Sequence, residues 1–279
     1  MSMIVTSAAG INGDGYGALL AFAHDGSSLG RFSDDARIMD PRGLGFDPKA
    51  ALLFVNSGAN RVLALDENGH VVRDTGPVPG LNPGGGNFGP DGRYVVGMRS
   101  VRSIMAFDST LARAGERLLP RDVVPFPRGF AFDPRGRLFL ASGMGPDGRG
   151  DDTILAFDRT LRPISGWKPD DPALSPLDLA IAPNGNVVVS SERPFGAPDA
   201  VTTVREYDAG DGHLVRVLSP DGKADFRRPR GLRFGSDSRL YCVAQDEVVA
   251  FDFAAGACLG AVVRMPRLNG QALMLVPQW

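Results

Sequence analysis

Pro41-Arg42-Gly43-Leu44-Gly45-Phe46-Asp47-Pro48 returns at 127–134 as Pro127-Arg128-Gly129-Phe130-Ala131-Phe132-Asp133-Pro134. A pattern that recurs this closely marks an internal repeat, the first feature to look for in a chain of this length. Weaker copies run from Pro83 to Pro90, from Pro176 to Pro183 and from Pro229 to Gly235, and a degenerate sixth runs from Leu268 to Leu273. Their starts lie 42, 44, 49, 53 and 39 residues apart. Each of the first five is followed by a tight turn, such as Pro90-Asp91-Gly92-Arg93, and then by a β-rich run, such as Tyr94-Val95-Val96. Two extended segments joined this way make a hairpin.

A third strand follows in every unit, ending in an aromatic residue or Leu that is usually followed by Asp: Phe22, Leu65-Asp66, Phe107-Asp108, Phe157-Asp158, Tyr207-Asp208 and Phe251-Asp252. Beyond it come a polar turn and a fourth strand, as in Asp66-Glu67-Asn68-Gly69-His70-Val71-Val72. Six such units predict an all-β, six-bladed β-propeller of four-stranded antiparallel blades, a single domain over 1–279. Inner strands are expected to start near 41, 83, 127, 176 and 229. Phe22 precedes the first inner-strand copy and Leu268–Leu273 follows the last third strand, so one blade must be shared between the termini. It is built from 2–32 plus 268–277, with Met3–Thr6 paired to Gln271–Val276, and it closes the ring without free edges.

Composition agrees. With 36 Gly and 22 Pro, about a fifth of the 279 residues are turn formers, against roughly 12% in an average protein. A long-helix or coiled-coil protein is excluded. The formal charge of −2 gives no global attraction to nucleic acid or anionic lipid, so neither is an expected partner. No apolar run reaches 18 residues and the N-terminus has no basic start, so the chain reads as a cytoplasmic monomer with no membrane partner. Cys242 and Cys258 are too few for a disulfide framework, and their strands stand too far apart to be bridged.

The stretch from Pro41 through Leu53-Phe54-Val55-Asn56-Ser57-Gly58-Ala59-Asn60-Arg61-Val62 to Asp66-Glu67-Asn68-Gly69 resembles an NHL repeat, and the whole chain resembles the six-bladed NHL and gluconolactonase-like propellers. Lyases of that kind use channel histidines for metal binding or proton transfer. Here His24, His70 and His213 all sit beside peripheral turns between third and fourth strands, so those mechanisms do not carry over. The gluconolactonase-like enzymes begin a divalent-cation site from a Glu-Gly-Pro motif, which is absent. Asp178, Asn87 and Asn269 are the partial counterparts left for a cation such as calcium, short of the six to eight ligands calcium wants.

In a propeller the inter-blade connections and the second-to-third loops share one face. Here these are the segments of variable length, where function usually sits. They carry Asn12, Asp14 and Tyr16 in Ala8–Gly17, Arg99 and Arg102 in Gly97–Ser103, Asp147, Arg149, Asp151 and Asp152 in Gly143–Asp152, and Glu192, Arg193 and Phe195 in Ser191–Thr202. Opening onto the same face is the second motif position, which reads Arg42, Gly84, Arg128, Leu177, Arg230 and Asn269. Arginine in alternate blades predicts a pseudo-threefold ring around the channel mouth, suited to a carboxylate or phosphate. The competing structural role for each arginine is a bond to a neighbouring blade's carbonyl, or pairing with Asp40, Asp178 or Asp225.

These readings lead to a small-molecule-binding propeller, an enzyme of lyase, lactone hydrolase or cyclase type without catalytic histidine. Its expected acid–base residues are Glu192 and Tyr16, with Glu247 as a further candidate. Arg42, Arg99, Arg128, Arg230, Asn87, Asp178 and Asn269 are its expected substrate contacts. The alternative is a non-catalytic scaffold of NHL type that binds a protein partner.

Overall fold

The second strands are continuously apolar rather than alternating, as in Leu52-Leu53-Phe54-Val55, which requires a sheet covered on both sides. The computed structural model, which describes residues 2–8, 17–112, 115–145, 148 and 150–277, shows both covers. Leu53 and Val55 pack toward the preceding blade, Leu52 and Phe54 toward the following one. Six apolar clusters result, each joining two consecutive blades around the ring. The fold is a six-bladed β-propeller.

The second blade has the order Gly43–Asp47, Leu52–Ser57, Arg61–Leu65 and Val71–Asp74 from channel to rim, every pair antiparallel. In the first blade the C-terminal strand Gly270–Val276 is innermost, followed by Ser2–Ser7, Ala18–Ala23 and Ser28–Ser33. Met3 faces Leu275 and Val5 faces Leu273 across this closure. Five sheets have four strands. The fourth has three in its ladder, Pro127–Phe132, Leu138–Ser142 and Thr153–Phe157, with a single bridge between Phe157 and Pro163 in place of an outer strand. Pro163 lacks the N–H that a ladder needs, so pairing stops there.

The aspartates that close the third strands build the turns that follow. Asp66 accepts from the backbone N–H groups of Asn68 and His70, and Asp158 does the same for Thr160 and Arg162. The third motif position explains itself at the centre. A Cβ on Gly43 would stand 2.7 Å from the Gly86 nitrogen, and one on Gly85 would stand 2.7 Å from the Gly129 Cα. Inner strands of neighbouring blades touch there, so the channel is narrow. Cys242 and Cys258 are buried, unbridged thiols.

Candidate functional site

Three inner strands break register at the motif. The ladder shifts between Pro83 and Gly86, between Pro127 and Phe130, and between Pro176 and Leu179. Bulges re-aim side chains. Here they turn the second and third motif residues out of the ladder and toward the channel. Arg42, Arg99, Arg128, Asp178, Arg230 and Arg233 converge on one cavity of about 40 Å³, whose remaining wall includes the backbone of Gly43, Gly85, Gly86 and Gly129.

Three of these five guanidiniums have a carboxylate of their own. Arg42 donates to Asp40 at 2.7 Å and to the Asn82 side chain at 2.8 Å. Arg230 donates to the buried Glu192 at 2.8 Å, and Arg233 to Asp178 at 3.0 Å. Arg99 and Arg128 form no ion pair among the described residues. Arg128 is 8% exposed, donates to the Met144 carbonyl, and lies between two rings, 4.9 Å from the Phe126 centroid and 4.2 Å from that of Phe195. Arg99 lies over the same Phe126 ring, 5.4 Å from its centroid. The Nε atoms of Arg99, Arg128 and Arg233 are buried without a hydrogen-bond partner.

Burial, and then the neighbouring Arg128, pull the Arg99 guanidinium well below its ordinary pKa. Burial, and then Arg230, do the same to Arg128. Among the described residues both cations therefore lack the counter-charge their environment calls for. Asp178 is pushed up by burial, against the attraction of Arg233 and the Leu232 N–H.

The remaining candidate residues lie elsewhere. Asn87 faces Val95 further along its inner strand and accepts from the Phe88 N–H at 2.9 Å. Asn269 sits in the turn before Gly270, at φ 46°, with its carbonyl accepting from Ala8. Neither lines the cavity. Glu247 is held by Arg264 at 3.0 Å and by the Asp225 N–H at 2.9 Å, also away from the cavity. Arg102 pairs with Asp122 at the surface. Tyr16, Asn12, Asp14, Asp147 and Arg149 lie outside the described residues. Calcium does not fit the donors the sequence suggested. Asn87 and Asn269 are not at the cavity, Asp178 Oδ2 is already shared by Arg233 and the Leu232 N–H, and five guanidiniums surround the place. None of the three histidines lines it.

Arg233 and Phe126 were not singled out by the sequence, whereas Phe195 was named in the loop Ser191–Thr202. Arg233 had a signal: it occupies the fifth motif position, where Gly45, Ala131 and Ala180 are small. Phe126 precedes Pro127 and had none.

No family model matches the chain, and no curated protein matches it. Solved structures do. The streptogramin B lyase structure is 14% identical with a TM-score of 0.63, over 86% of this chain and 74% of that one. A gluconolactonase from Xanthomonas campestris is 17% identical with a TM-score of 0.61, over 83% and 82%. A chain of the nidogen/laminin complex is 13% identical with a TM-score of 0.73, over 98% and 96%. At these identities the likeness is one of fold.

Proposed function

We propose that this propeller binds a small anionic metabolite at the mouth of its central channel and acts on it as a lyase, lactone hydrolase or cyclase. The observation that carries this reading is the placement of Arg99 and Arg128, two desolvated guanidiniums on one cavity wall with no carboxylate of their own among the described residues. Desolvating a cation without a partner is costly, and an anion bound between two of them recovers that cost through charge-assisted hydrogen bonds. Glu192, 1% exposed and joined to Arg230 beside the cavity rather than on its wall, is the proton acceptor in this reading. The enzymatic part is supported by similarity in fold to a streptogramin B lyase and a gluconolactonase.

Thermal unfolding of the wild type and Arg128→Ala, with small carboxylates, phosphates and lactones, tests it. A ligand at 100 times its Kd stabilises the native state by about 2.7 kcal/mol. An anion-dependent rise in Tm that Arg128→Ala abolishes is the expected result. A flat response of the wild type to every anion overturns the reading in favour of the non-catalytic scaffold.

A further inference from the structure

We infer that the group held at the channel mouth is a phosphoryl-type dianion. The inference rests on the anion-binding reading above and goes further by fixing the charge and size of the bound group. Among the described residues, the cavity wall carries five guanidiniums, and three of them are matched by a carboxylate. Asp152, the other carboxylate close to Arg128, is taken by Arg193 at 3.3 Å. Among the described residues two positive charges remain unmatched, on Arg99 and Arg128. One monoanion leaves one of them uncompensated; one dianion matches both.

Size decides where those two charges sit. A water needs about 10–15 Å³ of such space, so a cavity of about 40 Å³ holds roughly three. A dicarboxylate spreads its charges over a longer frame than this, whereas a phosphoryl group carries both on one tetrahedral centre. The presentation of Arg128 fits the same group. Phe126 and Phe195 both pack against its guanidinium, which leaves the N–H edge not taken by the Met144 carbonyl as the direction from which it bonds an oxyanion. The rings also keep water off the cation, which strengthens its attraction for charge.

Calorimetric titration with four probes tests the inference on the intact wild-type protein: methyl phosphate, inorganic phosphate, methyl sulfate and sulfate, each at pH 5.0 and pH 7.5. Methyl phosphate gains its second charge near pH 6, so its affinity is expected to rise roughly tenfold between the two pH values. Methyl sulfate, of the same shape but always a monoanion, is expected to bind at least tenfold more weakly at pH 7.5. Sulfate carries two charges at both pH values and reports any titration of the protein itself; its affinity is expected to change less than threefold. Either order of methyl phosphate and inorganic phosphate supports the inference, and the order distinguishes an ester from the free ion. Methyl sulfate binding as tightly as methyl phosphate overturns the dianion while leaving an anion site in place. Binding of none of the four overturns both.

Discussion

Asp178 and Arg233 meet at 3.0 Å across the channel wall, and each stands where the other repeats hold something smaller. The third motif position is Gly43, Gly85, Gly129, Gly231 and Gly270 in the other blades, and the fifth is Gly45, Ala131 or Ala180 where it is smallest. The two departures occur in neighbouring blades and neutralise one another. Asp178 also needs the glycine opposite: a Cβ on Gly129 would stand 1.8 Å from its Oδ1.

This pairing predicts strong coupling. Both side chains are 14% exposed, so removing one leaves a largely buried charge without its partner. Asp178→Asn and Arg233→Ala are each expected to cost about 3 kcal/mol in urea unfolding. The double variant Asp178→Asn/Arg233→Ala is expected to recover at least about 1 kcal/mol relative to the sum. Simple additivity would show that the two do not act as a pair.

Ring closure depends on a hydroxyl. Thr6 Oγ1 accepts from the backbone N–H groups of Gln271 at 3.2 Å and Ala272 at 2.9 Å, where the ladder between the terminal strands slips. Thr6 is fully buried, so Thr6→Val leaves those N–H groups without a partner at nearly constant volume. The expected loss is about 1–3 kcal/mol, with Thr6→Ser retaining more stability than Thr6→Val. A larger loss in Thr6→Ser than in Thr6→Val would assign the role to the methyl group.

The acid limb of stability has a local contributor in Asp35. The Arg37 side chain, and then its N–H, lower the Asp35 carboxyl from 3.8 to about 2, against the opposing effect of burial. An acid whose folded pKa is depressed stabilises above its unfolded pKa and loses that contribution as pH falls through the folded value. Wild type should therefore exceed Asp35→Asn by up to about 1 kcal/mol above pH 4, a figure reduced by solvent screening of the half-exposed Arg37. The urea midpoints should converge as the pH falls from 4 to 2. A gap that stays constant down to pH 2 would mean the aspartate acts through its turn geometry alone.

The fold was legible because the repeat motif is local: proline, turn and strand lie within a few residues of each other, and the order of anchors requires the shared blade. Arg42, Arg128 and Arg230 were legible as a set because equivalent motif positions must face the same channel. Their individual states were not. Arg42 is held by Asp40 and Arg128 by two rings, all from connecting segments, and Arg230 by Glu192 near the end of the strand Val187–Arg193; the repeat determines none of these placements. Asn87 and Asn269 show the other limit, since an oxygen donor on an inner strand can serve its own backbone instead of the channel.

Arg99 gives the sharpest contrast between binding and stability. Its guanidinium is desolvated beside Arg128, so in the free protein it costs stability that no ion pair among the described residues returns. Arg99→Gln keeps a polar side chain and removes the repulsion. The variant is expected to be more stable than the wild type by about 1 kcal/mol without ligand, in the manner of binding-site residues held at a cost to the fold. It is also expected to lose most of the Tm rise that anions give the wild type, because one of the two unmatched charges is gone. A gain in stability with ligand response unchanged would remove Arg99 from the site, and a loss of both would make it a structural residue of the channel wall.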